Sequence, residues 1–335
     1  MSLTLIIGAG LAGLTVARRL HAAGLPVHVI DKGRGPGGRM STRREGELRF
    51  DHGAQYFTVR DAAFEAEVRR WLDAGVVAPW TPRLADVAVD ATGRVDVRPR
   101  SPEHCRYVGV PGMSAVCRHL ASGLDVRYGL RAVALHAGSD GRWRVDTIDE
   151  ATQAPGTLDA DRVVVAIPDA QARQLAGHLL PLPETETRPC WAVMAAFEAP
   201  LPATFDAAFI SGSPLAWAAR EASKPQRPPA EAWVLHASAE WSARHLELPA
   251  DEVAVKLLAA WADLLGGTLP PRRLLRAHRW RFALTTSPAG PPFLTGPSDT
   301  LAVCGDWCLG GKIEAAFRSG AALADAWTAR STRPA

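Results

Sequence analysis

The sequence predicts an α/β fold: a Rossmann-like lobe of βαβ units around a mostly parallel sheet, interleaved along the chain with a second lobe built on a mixed sheet. Three observations carry the prediction. Residues 3–7 are almost wholly apolar, as a strand buried on both faces of a parallel sheet requires, and they run straight into Gly8-Ala9-Gly10-Leu11-Ala12-Gly13. Leu11, Leu14, Ala17 and Leu20 then repeat at helical spacing, and Gly24 leads to a second short strand, Val27-His28-Val29-Ile30, that closes on Asp31. A further buried run, Val163-Val164-Val165-Ala166-Ile167, recurs downstream, and 335 residues exceed what one core usually holds.

Taken in order, the first thirty residues form a βαβ unit with a right-handed crossover. Residues 64–72 read as an amphipathic helix, and Val87, Val89, Val95 and Val97 alternate about Gly93 as an antiparallel hairpin. Pro111-Gly112-Met113 precedes a helix to about Leu120, and residues 126–135 and 143–145 read as strands that, with 163–167, feed the same sheet as the first unit. Residues 170–290 hold six of the eleven tryptophans, with strands at 192–197 and 233–237 and a helix near 253–265, and are expected to be the substrate lobe. Proline-rich residues 225–229 and 288–292 read as surface loops, the second crossing back to the first lobe. The expected partition is 1–60, 106–170 and 292–335 for the dinucleotide lobe and 61–105 and 171–291 for the substrate lobe.

Composition narrows the partners. The formal charge is +3, with 38 basic residues dispersed among 35 acidic ones, so nucleic acid is not expected. No uncharged stretch reaches the length of a membrane-spanning helix, and the opening run lacks the basic region and cleavage motif of a signal peptide. The five cysteines are odd in number and scattered, which points to a reducing cytoplasm. Cys304 and Cys308 read as buried structural thiols, since Cys-x3-Cys without a second pair is not a zinc site. With no His-Glu-x-x-His and no Gly-x-Ser-x-Gly, neither a metal nor a serine nucleophile is expected.

The glycine segment has a chemical reading in its strand-to-helix setting. The first glycine allows the tight turn, the second lets a pyrophosphate approach the backbone, the third lets helix and strand pack closely, and the helix start offers free N–H groups. Asp31, eighteen residues beyond Gly13, is placed to accept from a ribose hydroxyl, so the site is for a dinucleotide. Gly35-Pro36-Gly37-Gly38-Arg39-Met40 adds a second glycine-rich turn and an arginine suited to clamping phosphate, an extension that a simple nicotinamide dehydrogenase does not need.

These segments resemble the flavin amine oxidases and their relatives, in which a Gly-Gly-Arg segment follows the acid of the second strand and lies along FAD. The resemblance takes in Asp51-His52-Gly53-Ala54-Gln55-Tyr56-Phe57, the strand carrying Ala132, and Cys304-Gly305-Asp306-Trp307, and so spans the chain. It implies FAD as cofactor, held by Gly8, Gly10, Leu11, Ala12, Gly13, Asp31, Lys32, Gly38, Arg39, Gly53, Ala54, Gln55 and Tyr56, with Ala132 giving adenine a backbone contact. It also implies Asp306 on the ribityl hydroxyls, and Lys312, Ile313 and Glu314 opening a helix to about Trp327. The N-terminus of that helix would favour the negative charge of a reduced flavin.

Within the family the wording is most similar to the bacterial renalases, in Lys32-Gly33-Arg34-Gly35-Pro36-Gly37-Gly38-Arg39-Met40-Ser41, the segment from Asp51 to Phe57, Pro111-Gly112-Met113-Ser114-Ala115, His278-Arg279-Trp280 and Cys304-Gly305-Asp306-Trp307-Cys308. That likeness implies oxidation of the 2-dihydro and 6-dihydro isomers of NAD(P)H to NAD(P)+, with O2 taken to H2O2. A dihydropyridine becomes aromatic on losing hydride, so no catalytic base is needed and none is assigned; Asp51 and His52 are read as serving the cofactor segment. Many amine oxidases carry a lysine beside the flavin, and none of Lys32, Lys224, Lys256 and Lys312 can be given that part. His236 and Trp280, with Tyr56, are the candidates for an aromatic face against the nicotinamide. Two rivals rest on the same motifs: an FAD-dependent oxidase of an amine or other small molecule, and a non-catalytic flavin redox sensor. The absence of an appended partner domain or charged tail stands against the sensor.

Overall fold

The computed structural model describes residues 2–331; Met1 and residues 332–335, which fall in the expected dinucleotide lobe, lie outside them. Six strands form the first sheet, in the order Phe293–Thr295, Leu301–Cys304, Arg162–Val165, Thr4–Ile7, Val27–Asp31, Asp125–Tyr128. All pair in parallel except the edge strand Phe293–Thr295, and Ile7 stands level with both Ile30 and Val165. Alternation along the strands explains why both faces are apolar. Ile6, Val29, Val164 and Ala302 point to the helices Leu11–Ala22 and Ile313–Ser331, whereas Leu5, Ile7, Val163 and Val165 point to Leu135, Trp143, Val145 and Leu175 on the other side. Each such fully buried Val, Leu or Ile side chain contributes about 1.5–3 kcal/mol relative to exposure.

Helix Leu11–Ala22 ends where Gly24 takes a positive φ of +76°. The long helix Ile313–Ser331 lies against it closely enough that a Cβ on Gly320 would strike the Ala12 carbonyl, and Arg19 pairs with Asp325 at 2.6 Å across the contact. Helix Ala62–Asp73, capped by the Asp61 carboxylate on the N–H groups of Ala63 and Phe64, drives Phe64, Val68 and Trp71 into the same core as Phe317, so the core runs unbroken past residue 60.

The second lobe is a seven-stranded sheet in the order Arg272–Ser287, Glu186–Phe197, Ala232–Ala237, Leu215–Arg220, Ala207–Ser211, Leu84–Val89, Val95–Pro99. One face buries Trp191 and Trp233 under helix Ala250–Leu264, whose own Trp261 joins the same core. On the other face, registered pairing sets His278, Ala192, His236, Trp217 and Phe209 in one row across five strands. That row looks toward the first lobe.

Three expectations from sequence are corrected. The strand expected over 126–135 breaks at Gly129, whose φ of +73° turns the chain out of the parallel sheet and into strand Leu130–Ala137. Residues 130–160 therefore do not feed the first sheet but form a three-stranded antiparallel sheet laid over it. Residues 225–229 are a loop at the surface only in part: Gln226 and Pro229 are exposed, but Arg227 is buried at 8% exposure, just beyond the buried Lys224.

Candidate active site

The first glycine turn is built as its sequence requires. Gly8 has a φ of +115° and packs against the Ala166 carbonyl, a Cβ on Gly13 would run into the Gly8 carbonyl, and Gly10 caps Leu11–Ala22 with no side chain in the way. The helix's first N–H groups are thus left to an anion. Asp31 does more than wait for a ribose. One of its carboxylate oxygens accepts from Ala9 N–H (2.7 Å) and the other from Gly33 N–H (2.6 Å), tying the turn to the segment after the second strand. Lone pairs remain on both oxygens for a ribose hydroxyl. Lys32 extends to Gln171 at 3.4 Å on the surface, and Ala132 reaches the same cavity from its antiparallel strand.

The second turn is hung from the first. Gly37 N–H donates to Ala9 O at 2.9 Å, and positive φ values at Gly37 (+132°) and Gly38 (+53°) bring Arg39 round in a short helical turn. The Arg39 guanidinium grips Asp306 with two hydrogen bonds, one of 2.9 Å, across 267 residues of chain, and its carbonyl accepts from Ala54 N–H at 2.8 Å. A Cβ on Gly53 would strike that carbonyl. Asp306 is 7% exposed, so its pairing matters. Beyond it, Lys312 and Ile313 line the cavity, and a Glu314 carboxylate oxygen accepts from the backbone N–H groups of Arg60 (2.7 Å) and Asp61 (3.0 Å).

The segment Asp51–Phe57 is held from behind by charge. Asp51, Glu221, Lys224 and Arg227 form a fully enclosed group whose side chains are 0–2% exposed: Lys224 pairs with Glu221 at 2.7 Å and Asp51 at 3.4 Å, and Arg227 pairs with both carboxylates. Burial alone would raise the Asp51 carboxyl, but Lys224 and Arg227 hold it below the ordinary range. Burial, with Asp51 adding to it, pushes Glu221 up despite the same two cations. Thr42 Oγ1 and Met113 N–H also donate to Asp51. The Gln55 amide is drawn into this group, accepting from Lys224 Nζ at 3.3 Å and donating to the Asp51 carbonyl, so its side chain is committed to protein.

On the cavity side of the segment stand imidazoles and indoles. His52 stacks on Trp280 with ring centroids 5.2 Å apart and meets His278 edge-on at 4.8 Å. The His52 carbonyl accepts from Trp280 Nε1 (2.9 Å) and His236 Nε2 (3.2 Å), so two of the three candidates for the substrate face converge on one peptide group. Burial, with His278 alongside, takes His52 down to about 3, and burial takes His236 down to about 4; His278 is lowered by burial and by Arg43. The trio is uncharged at neutral pH. Tyr56 faces a second aromatic group, 5.5 Å from Trp217 and 6.0 Å from Trp80, with Arg106 over its ring at 5.1 Å. His278, Trp217, Arg106 and the buried Lys224 and Arg227 were not among the expected site residues, and His52 was expected only as part of the cofactor segment. Of the others only His278 carried a signal, its place two residues from Trp280 on one strand, where alternate side chains share a face.

All of this surrounds one cavity of about 2450 Å³, running from the glycine turn past Asp306 to the aromatic row. Pockets for single small ligands are roughly 300–1,000 Å³, so a dinucleotide and a second molecule both have room. The glycines a Cβ would fill, the uncapped helix start, the Arg39–Asp306 clamp and the second-strand acid fit FAD. Among the described residues no cluster of His, Cys, Asp or Glu is disposed to hold a metal, and no helix is long and apolar enough to cross a membrane.

Fold and site together define a flavin-dependent oxidoreductase. Comparison with known proteins agrees: residues 6–73 match the model of an NAD(P)-binding Rossmann-like domain, and residues 94–326 match that of the flavin containing amine oxidoreductases. The chain belongs to the flavin containing amine oxidoreductase family, and its cofactor is FAD. The fold is similar to that of cyclohexylamine oxidase from Brevibacterium oxydans IH-35A (TM-score 0.75, 13% identity, 99% of this chain and 100% of that one). It is also similar to a putative protoporphyrinogen oxidase from Exiguobacterium sp. 255-15 (TM-score 0.76, 14% identity, 98% and 99%). Putrescine oxidase bound to putrescine gives a TM-score of 0.71 at 14% identity over 98% and 99% of the two chains. In sequence, a neurosporene-forming phytoene desaturase of Rhodobacter capsulatus is 44% identical over 75 residues, which is 22% of this chain and only 14% of that protein.

Proposed function

We propose that the protein is a renalase-like oxidase of misreduced nicotinamide dinucleotides, converting 2-dihydro and 6-dihydro isomers of NAD(P)H to NAD(P)+ with O2 taken to H2O2. The observation that carries this reading is the charge of the cavity wall. Of the lining carboxylates, Asp31 and Glu314 accept from backbone N–H groups, Glu45 and Asp306 pair with Arg43 and Arg39, and Glu103 alone is loosely held, 74% exposed and 3.4 Å from Arg100. An ammonium substrate thus meets one loosely held carboxylate, whereas arginines line much of the wall. FAD, when bound, supplies a two-electron acceptor that O2 can reoxidise. The chain's own task is to present flat, uncharged surfaces: Trp280, His52 and His278 offer rings for the nicotinamide to lie against. Their neutrality sets no positive charge against the pyridinium product. No group of the wall has to remove a proton, because the ring becomes aromatic on losing hydride. The sequence wording shared with the bacterial renalases supports the same reading.

The test is anaerobic stopped-flow bleaching of the yellow protein by 2-dihydro-NAD, 6-dihydro-NAD, ordinary 4-dihydro-NADH and a panel of primary amines at equal concentration. Rapid bleaching by the misreduced isomers alone is the expected result. Bleaching by amines alone moves the protein to amine oxidation, and no bleaching by any of them favours the redox sensor.

A further inference from the structure

Arg106 stands apart from the other arginines of the cavity. It lies on strand Arg106–Gly109, is only 8% exposed and lines the cavity, yet among the described residues no carboxylate pairs with it and its Nε has no hydrogen-bond partner. Its neighbour Arg100, by contrast, is satisfied by Asp86 at 2.9 Å and Glu103 at 3.4 Å. The Tyr56 ring lies under the Arg106 guanidinium at 5.1 Å. A desolvated guanidinium without a counter-charge is an unfavourable state, and an oxygen-rich anion at its terminal nitrogens relieves it.

The cofactor's own diphosphate does not answer this demand, because the glycine turn and the start of helix Leu11–Ala22 already provide for it. We infer that Arg106, on the cavity wall that Arg60 and His104 also line, recognises the diphosphate limb of the dinucleotide substrate. The inference rests on the proposed function and deepens it: nicotinamide lies against the His52–Trp280 wall, and the phosphates reach the Tyr56 chamber. Planar guanidinium suits phosphate, and Tyr56 fixes its plane by stacking. The same arrangement selects against cationic amines and against dihydronicotinamides stripped of phosphate.

The experiment compares FAD-loaded wild type with Arg106→Met on two substrates, 6-dihydro-NAD and the corresponding dihydronicotinamide riboside. The kcat/KM ratio of dinucleotide to riboside is expected to fall roughly 10- to 100-fold, as loss of a hydrogen bond to a charged group implies. Because the ratio is internal to each protein, loss of folded material cancels. Arg106→Lys, which keeps the charge without the fork, should restore much of the ratio. Equal losses on both substrates overturn the inference. A second arm needs no turnover: calorimetric titration with ADP-ribose should show binding to wild type that weakens at least about tenfold in Arg106→Met. If ADP-ribose binds in this way while no dihydronicotinamide is oxidised, the anion site stands and the oxidase reading falls. Equal ADP-ribose affinity in both proteins, or inorganic phosphate binding as tightly as ADP-ribose, overturns the assignment.

Discussion

Deleting one charge from the enclosed group behind the cavity tests what joins the two lobes. In Lys224→Met the stem volume is nearly kept while Asp51 and Glu221 are left facing Arg227 alone, in a place where all these side chains are 0–2% exposed. Breaking a buried pair by removing one partner costs about 3–5 kcal/mol. For 335 residues an unfolding entropy of about 2.1 cal/mol/K per residue gives roughly 0.7 kcal/mol/K, so the melting temperature should drop by about 4–7 °C. The pH dependence has a definite sign. Glu221 is already raised in the folded protein and Lys224 is one of the groups restraining it, so without Lys224 it rises further. A carboxyl whose folded pKa is raised adds stability below its unfolded value and loses that stability as pH climbs, so the variant's deficit should shrink as pH falls from neutrality toward the ordinary carboxylate range. Adding Glu221→Gln should recover part of the loss by restoring neutrality. Thermal unfolding of the FAD-loaded proteins followed by circular dichroism reads all of this. A drop under about 1 °C, the behaviour of a solvated surface pair, or a deficit that grows on acidification, would refute the argument.

The cofactor clamp gives a second expectation: Arg39→Ala or Asp306→Ala strips a bidentate pair and should weaken FAD retention at least about tenfold, read as the flavin-to-protein absorbance ratio after gel filtration. Full yellow colour in both variants would count against the site as described. The histidine wall gives a third. His52 and His236 are lowered from 6.5 to about 3 and about 4, so their contribution to stability is intact above 6.5 and is lost as pH falls through those lower values. The melting temperature should therefore decline on acidification below 6.5, less steeply in His236→Asn, while bleaching rates show no step at 6.5; a step there would mean that the imidazoles titrate freely.

Much of the dinucleotide end is legible in the sequence because it is made of local rules. Gly8, Gly13 and Gly37 are demanded by backbone approach or positive φ, and the alternation of Leu5, Ile6 and Ile7 between two cores follows from strand periodicity. Legibility fails where a residue's partner is remote. Lys224 and Arg227 sit among prolines and polar residues that read as solvated, and only the fold brings Asp51 to them from 173 and 176 residues away. Gly129 looks like any glycine inside a strand, and which sheet the chain enters after it depends on what the strand Trp143–Asp149 needs as a partner. Arg106 is invisible for a similar reason: its distinction is the lack of a partner, a property of the folded cavity and of no sequence window.

The close seating of Gly320 on Ala12, with Arg19 holding Asp325, bears on when the cofactor can enter. At translation rates of about 5–20 residues per second, the glycine turn leaves the ribosome tens of seconds before Asp306 and the helix that backs it. During that interval the face of the first helix at Ala12 and Arg19 has no cover, because the helix that carries Gly320 and Asp325 does not yet exist. The cofactor site is therefore whole only when the first and last parts of the chain have met, since Asp306 is gripped by Arg39 and the last helix is seated on Ala12.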